Sequence, residues 1–388
     1  LSVIFESAKK GRRQVPEYKK PDCPYVSTVL VEVGVFVKTS AYRASPALPS
    51  CAIIAAFRDF RYSNKLKPMM QQEFINGLSS LAARHYGCVA TIGSFDGVHR
   101  GHKALLQQVT EKARELELPS LVMVFEPQPY EYFSREEAPA RLMRLREKVS
   151  ALFEQGVDRV VCLKFDRALR GLSAQAFVDQ VLVSALGVKY LVVGDDFRFG
   201  CDRKGDYAFL QCCGEKNGFE VSDTHTQLQS GDRISSTRIR NLLNEDKLEN
   251  ANELLGREYA VTGRVIYGKQ LGRTLGFPTA NLGLGHYRSP LQGVYAVTVE
   301  GEDFSGKVQG VANVGVRPTI SGGKKPLLEV HILDERPNLY KKWIKVAFKH
   351  KLRAEMRFNG LPELQEQIER DVTDARKWFA ENGQSSNK

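Results

Sequence analysis

The chain has 388 residues, beyond the length that one hydrophobic core usually organises, so two domains and an extension are expected. With 42% hydrophobic and 26% charged residues, 32 Gly and 16 Pro, the composition is that of an ordinary globular protein and excludes collagenous and wholly disordered classes. The formal charge of +11 is concentrated at one end: residues 1–68 hold 12 Lys/Arg and 5 Asp/Glu, and the rest has no dense basic run or aromatic-interleaved basic stripe, which argues against nucleic acid as a partner.

Residues 1–68 show no clear hydrophobic period and lack a signal peptide's order of basic end, apolar core and small-residue cleavage site. The first methionines, Met69 and Met70, stand directly before the first well-patterned segment. Residues 1–68 are therefore read as an extension without catalytic role, with a transit peptide or sequence upstream of the true start as alternatives. Apolar runs at 28–37 and 182–194 are short and interrupted by Glu32 and Lys189, so no membrane span is expected. Seven cysteines, at 23, 51, 88, 162, 201, 212 and 213, include no CxxC and form no disulfide framework; a cytoplasmic setting is expected.

From residue 88 the chain alternates β-branched runs (88–92, 121–125, 159–164, 190–193) with amphipathic stretches (103–115, 140–155, 174–186), the pattern of a doubly wound α/β domain assigned to 69–250. Such sheets bind ligands at the carboxyl ends of their strands. The first of these ends is Gly93-Ser94-Phe95-Asp96-Gly97-Val98-His99-Arg100-Gly101-His102, opening a helix whose free N–H groups suit phosphate. His99 and His102 could donate hydrogen bonds to oxygens on a phosphorus centre as charge builds there; a zinc pair and two capping histidines are the alternatives.

His99-Arg100-Gly101-His102 resembles the HxGH signature of the nucleotidylyltransferase superfamily, and Ile234-Ser235-Ser236-Thr237-Arg238-Ile239-Arg240 resembles its ISSTxIR element. Ser/Thr at a helix start with Arg one turn later makes a phosphate clamp. Phe125-Glu126-Pro127-Gln128-Pro129 and Gly194-Asp195-Asp196-Phe197-Arg198-Phe199-Gly200 narrow the resemblance to the FMN adenylyltransferase module of bacterial riboflavin kinase/FAD synthetases. The resemblance implies catalytic His99 and His102; ATP contacts from Gly93, Phe95, Asp96, Gly101, Ser236, Thr237 and Arg240; and flavin contacts from Pro127, Pro129, Asp196, Phe197 and Phe199. The two phenylalanines read equally well as core residues. Gln128 stands where many relatives carry His. The attacking phosphate of FMN is already anionic, so no general base is expected at this site.

Residues 235–245 and 248–255 read as linking helices. The domain assigned to 251–388 then becomes mostly β (259–266, 293–299, 306–314, 328–333, 343–348), a small barrel closed by a terminal helix at 361–381. Its densest motif is the run from Gly268 to Asn281, Gly-Lys-Gln-Leu-Gly-Arg-Thr-Leu-Gly-Phe-Pro-Thr-Ala-Asn. On its own, a glycine-rich stretch reads as a turn. It resembles the riboflavin kinase signature, which implies ATP contacts from Gly268, Lys269, Arg273 and Pro278 and magnesium ligation by Thr279 and Asn281. Riboflavin's terminal hydroxyl is not ionised at neutral pH, so a carboxylate base is useful, and Glu329, at the family's glutamate position, is the candidate. An outward carboxylate on an alternating strand is the other reading of that residue.

The expected fold is thus an α/β doubly wound nucleotidylyltransferase domain followed by a small mostly-β barrel kinase domain with a C-terminal helix. The expected function is ATP-dependent synthesis of FMN and then FAD, with Mg²⁺ as cofactor. Expected partners are riboflavin, FMN, FAD and ATP, with no nucleic acid or membrane, and a homo-oligomer is left open. Two alternatives stand beside it: an adenylyltransferase with a flavin-binding but kinase-inactive barrel, and an adenylyltransferase for another acceptor, such as a nicotinamide or pantetheine phosphate.

Overall fold

The computed structural model describes residues 72–134, 137–194, 196–201, 203–224, 228–229, 232–268, 272, 275–284, 288–318, 324–335 and 337–382. The 1–68 extension lies outside them. Six strands, β1 (Glu73–Asn76), β2 (Cys88–Ile92), β3 (Ser120–Glu126), β4 (Arg159–Lys164), β5 (Val188–Gly194) and β6 (Glu220–Thr224), form one sheet in the order β1-β4-β3-β2-β5-β6. All five pairings are parallel. The central strands are runs such as Cys-Val-Ala-Thr-Ile, buried on both faces as a helix-covered parallel sheet requires. Because β2 pairs with β3 on one side and β5 on the other, chain direction switches beside its carboxyl end, where such sheets open a ligand crevice.

The helices that cover this sheet begin where side chains satisfy their free N–H groups. In α1 (Arg100–Glu115) the cap is His99, and buried Leu106, Val109 and Ala113 face the sheet. The expected helix 140–155 starts later, as α3 (Leu145–Glu154), after the short α2 (Pro129–Phe133). Asp96 holds the backbone N–H groups of Leu142 and Met143, at 3.0 Å each for the shorter contacts, and keeps the chain there out of a helix. After α4 (Arg167–Arg170), the expected 174–186 helix is α5 (Ala174–Phe177) running on as a π-helix over Val178–Ala185. Helix α6 (Tyr207–Asn217) precedes edge strand β6, whose sequence Glu-Val-Ser-Asp-Thr has no apolar run to announce it. A two-stranded ribbon, β7 (Leu228–Gln229) and β8 (Asp232–Arg233), follows.

Helices α7 (Ser236–Asn244) and α8 (Leu248–Leu255) lead into a closed antiparallel barrel. Its strands are β9 (Ala260–Ile266), β10 (Ala280–Gly283), β11 (Gly293–Gly301), β12 (Val308–Pro318), β13 (Lys324–Ile332) and β14 (Trp343–Arg353), in the order β10-β13-β12-β11-β14-β9. Strand β10 begins inside the 268–281 motif, whose glycine-rich run reads from sequence as a turn, and continues to Gly283. Helix α9 (Leu361–Asn382) lays Ala375 and Phe379 against Val294, Ala296 and Val311 on the barrel's outside. Buried Asp371 anchors it through two bonds from Arg353 (Nε–Oδ1 2.7 Å, Nη2–Oδ2 2.8 Å).

The two lobes share one core: Leu142 and helix residues Ile239 and Leu243 belong to the same apolar cluster as barrel residues Tyr295, Leu328 and Phe348. Polar contacts reinforce the seam. Arg144 Nη2 donates to Gly283 O at 2.7 Å, the Glu147 carboxylate accepts from Thr262 N, and the Arg146 guanidinium lies 4.4 Å from the Trp343 ring centre. Among the described residues, no helix is long and apolar enough to cross a membrane.

Candidate active sites

At the carboxyl ends of β2 and β5 lies a cleft of about 700 Å³. The turn that enters it is strained: Phe95 and Val98, neither of them glycine, have φ of 46° and 37° and are almost fully buried. Left-handed geometry at a β-branched residue persists only where its surroundings over-determine it. Those surroundings are visible. Asp96 is 1% exposed and, besides Leu142 and Met143, binds Arg240 Nη2 at 2.5 Å. Ser236 Oγ donates to Asp96 O at 2.8 Å, and Arg257 Nη2 to Gly97 O at 2.7 Å. The two nucleotidylyltransferase-like motifs, about 140 residues apart, are therefore one hydrogen-bonded unit.

His99 and His102 stack, with ring centres 3.7 Å apart. The His102 backbone N–H donates to His99 Nδ1 at 3.3 Å, so neutral His99 carries its proton on Nε2. Burial lowers the His99 pKa from the ordinary 6.5 to about 4, opposed by Asp96 and assisted by Arg257, Arg233 and Arg240. His102 is likewise pushed well below the usual range, first by burial and then by His99 and Lys148. Both rings are thus neutral hydrogen-bond donors at physiological pH. The capping alternative is realised as well, since His99 is the N-cap of α1.

Of the residues expected here, Gly93, Phe95, His99, Gly101 and His102 line the cleft from one wall, Ser236, Thr237 and Arg240 from another, and Asp196 and Phe197 from the end of β5. Asp96 does not line it; its carboxylate is taken up by the N–H groups of Leu142 and Met143 and by Arg240. Neither Pro127 nor Pro129 lines it; Gln128, Tyr130 and Glu131 do. Phe199 packs against Phe177, Phe197 and Phe209 in the core and does not reach the cleft.

The barrel carries two clefts that meet at Thr279. One, about 440 Å³, is bordered by Pro278, Thr279, Glu335 and Tyr340. The other, about 230 Å³, lies beneath α9 and is bordered by Thr279, Asn313, Glu329, His331, Arg353 and Glu355, with Phe277, Val294 and Phe358 as apolar walls. Asn281 is 5% exposed, and its Oδ1 has no donor among the described residues. Gly268 fits over it: a Cβ there would come 2.5 Å from Asn281 Nδ2. His331 Nδ1 lies 2.9 Å from Pro278 O, tying β13 to the motif. Lys269 and Arg273 lie outside the described residues. Among the described residues, no group of three or more His, Cys, Asp or Glu side chains gathers as a metal site.

The sequence profile of the FAD synthetase family matches residues 81–238, and that of riboflavin kinase matches residues 255–379. The bifunctional riboflavin kinase/FMN adenylyltransferase of Escherichia coli K12 is 51% identical over 308 residues, 79% of this chain and 98% of that protein. Its counterpart from Pseudomonas fluorescens is 51% identical over 305 residues, 78% of this chain and 97% of that protein. The chain belongs to the bifunctional riboflavin kinase/FMN adenylyltransferase family. A crystal structure described as a macrolide-efflux protein from Streptococcus pneumoniae shares the fold, with TM-score 0.64 and 30% identity over 79% of this chain and 99% of that one.

In this family member several charged residues in or beneath the α/β lobe stand outside the motifs read from sequence. Arg233 lines the α/β cleft and pairs with Asp196 Oδ2 at 3.2 Å. Lys148 is fully buried, with no partner for Nζ among the described residues, and burial lowers its pKa. Arg141 bridges Glu126, at 2.7 Å, and Glu131. A basic residue on an amphipathic helix reads as solvated, so only the fold could place Lys148 inside.

Proposed function

We propose that the barrel phosphorylates riboflavin with ATP, giving FMN and ADP, and that the α/β lobe joins FMN to the adenylyl group of a second ATP, giving FAD and pyrophosphate. The observation that carries this reading is the 51% identity to bifunctional riboflavin kinase/FMN adenylyltransferases through both lobes. Retained Thr279, Asn281 and Glu329 argue against the kinase-inactive alternative, and the attached kinase lobe favours FMN as the acceptor over a nicotinamide or pantetheine phosphate.

In the α/β cleft, the FMN phosphate attacks the α-phosphorus of ATP and needs alignment and charge stabilisation rather than a base. Neutral His99 offers Nε2–H to the oxygens that gain charge, and the N-terminus of α7 with Arg240 and Arg233 faces the phosphates. Phe197 covers the flat flavin ring.

In the barrel, the cleft with apolar walls beneath α9 takes the flavin, and the cleft across Thr279 takes the nucleotide, so donor phosphate and acceptor hydroxyl meet at that residue. Glu329 accepts the proton of the terminal hydroxyl. The Thr279 hydroxyl and the buried Asn281 Oδ1, which has no donor among the described residues, are hard oxygen ligands that fit Mg²⁺. When bound there, the ion supplies charge neutralisation on the ATP phosphates.

The test is a time course of the full chain with riboflavin and Mg-ATP, with the three flavins separated chromatographically; FMN followed by FAD is expected. Glu329→Gln should reduce FMN formation by about 10²–10⁴ and leave FMN-to-FAD conversion intact. His102→Ala should do the reverse, by about 10²–10³. FAD from supplied FMN with nothing from riboflavin, in the unmutated chain, would restore the inactive-barrel reading.

A further inference from the structure

On the outer face of the barrel, Asn281 of β10 stands opposite Glu329 of β13, and Glu329 stands opposite Asn313 of β12. Directly opposed residues on antiparallel strands share a face, with Cβ atoms about 4.5–5.5 Å apart. The three therefore form one row of amide, carboxylate and amide. Leu328 and Val330, which flank Glu329 in β13, are buried in the barrel core, so the row points away from it. Asn313 and Glu329 border the cleft beneath α9.

Asn313 Oδ1 is buried and has no donor among the described residues. An orphaned buried acceptor is unfavourable unless a ligand or an ordered water supplies the donor, and a ligand entering the cleft would meet this one. Its surroundings restrict that ligand. Two residues along β12, a Cβ on Gly315 would come 2.2 Å from Glu355 Oε1, so the missing side chain makes room for a second carboxylate beside Asn313. Acceptors thus crowd this part of the cleft, with Arg353 bound to Asp371 and His331 Nδ1 at Pro278 O, while Phe277, Val294 and Phe358 are its apolar walls. That combination suits a molecule with a flat apolar end and a run of hydroxyls.

We propose that Asn313 is a substrate-holding residue of the kinase step: its Oδ1 accepts a hydrogen bond from the ribityl hydroxyl next to the terminal one, while Glu329 takes the proton of the terminal hydroxyl. Two acceptors on adjacent strands of one rung match two neighbouring hydroxyls of a polyol chain, and gripping both aims the terminal oxygen at the phosphate donor beyond Thr279. The proposal rests on the reading of the barrel as a riboflavin kinase.

The experiment compares riboflavin with 4′-deoxyriboflavin, which lacks the neighbouring hydroxyl, as substrates of the full chain at saturating Mg-ATP. Wild type should prefer riboflavin by roughly ten- to hundredfold in kcat/KM. Asn313→Ala, and Asn313→Leu, which keeps the volume without the acceptor, should bring the two flavins within about twofold of each other by losing rate on riboflavin alone. Asn313→Asp, which keeps an acceptor at the same reach, should restore the preference. The KM for ATP and FMN-to-FAD conversion should not change, and the latter also reports that each variant is folded. Retention of the wild-type preference by the Ala and Leu variants, or an equal loss on both flavins, would overturn the proposal. No product from riboflavin with the wild-type chain would instead overturn the reading of the barrel, and this proposal with it.

Discussion

The His99 ring has two roles that one protonation state must serve. As the N-cap of α1 it must keep Nδ1 unprotonated to accept from the His102 N–H, and as a donor toward phosphate it must keep a proton on Nε2. Only the neutral imidazole does both, and burial, with Arg257, Arg233 and Arg240 nearby, holds it neutral down to about pH 4. The folded pKa lies below the ordinary 6.5, so between those values the unfolded chain binds more protons. The stability tied to this residue is complete above pH 6.5 and is lost as the pH falls toward 4. Between pH 6.5 and 5 the loss should be about 2 kcal/mol, read as a lower urea midpoint, and His99→Asn should flatten that part of the dependence. FAD formation should likewise show no inflection near pH 6.5 from this pair.

At the scale of elements, the α/β cleft is made by helix starts. Ser235 Oγ accepts from Arg238 N at 3.2 Å, aiming the N-terminus of α7 at the α/β cleft. Ser235→Ala should cost about 1 kcal/mol of stability and raise the KM for ATP in FMN adenylylation, with riboflavin phosphorylation unchanged. Measuring both activities on one preparation checks this, since an equal fall in both would mean general unfolding. Such starts were legible in the sequence because Ser235 and His99 carry local signals, and the β-branched runs at 88–92 and 159–164 announced their strands to the residue. Elements with no local signal were not. Asp96 stops residues 140–144 from becoming helix through contacts 46 and 47 positions away, which no window of sequence contains. Strand β10 hides inside a glycine-rich motif and is held by its neighbours β9 and β13. The same limit governs the sites: motif residues His99, Ser236 and Glu329 could be named in advance, whereas Asn313 and Arg233 acquire meaning only when register and topology bring them to a cleft.

At the scale of the molecule, the lobes that carry the two clefts are not independent bodies joined by a tether. Leu142 lies in the barrel's own apolar cluster, next in sequence to Met143 and Arg144, and Asp96 of the histidine turn holds the 142–143 backbone. Arg144 reaches Gly283, two residues beyond Asn281, at 2.7 Å. A continuous run of backbone and side-chain contacts therefore connects the two clefts. Glu147 closes it, accepting the N–H of Arg144 at 2.7 Å and that of Thr262 across the seam, and burial raises its pKa against those two bonds. Residues on both sides of such a seam should unfold together, so calorimetry should show one transition for the two lobes rather than two. Glu147→Ala leaves two N–H groups without their acceptor and should lower that midpoint by several degrees, at about 2–4 °C per kcal/mol for a unit of this order of size. Both activities should then be lost along the same temperature curve. Two separated transitions, or inactivation of FMN adenylylation at a temperature where riboflavin phosphorylation persists, would mean that the shared cluster does not couple the lobes and that each cleft depends on its own core alone.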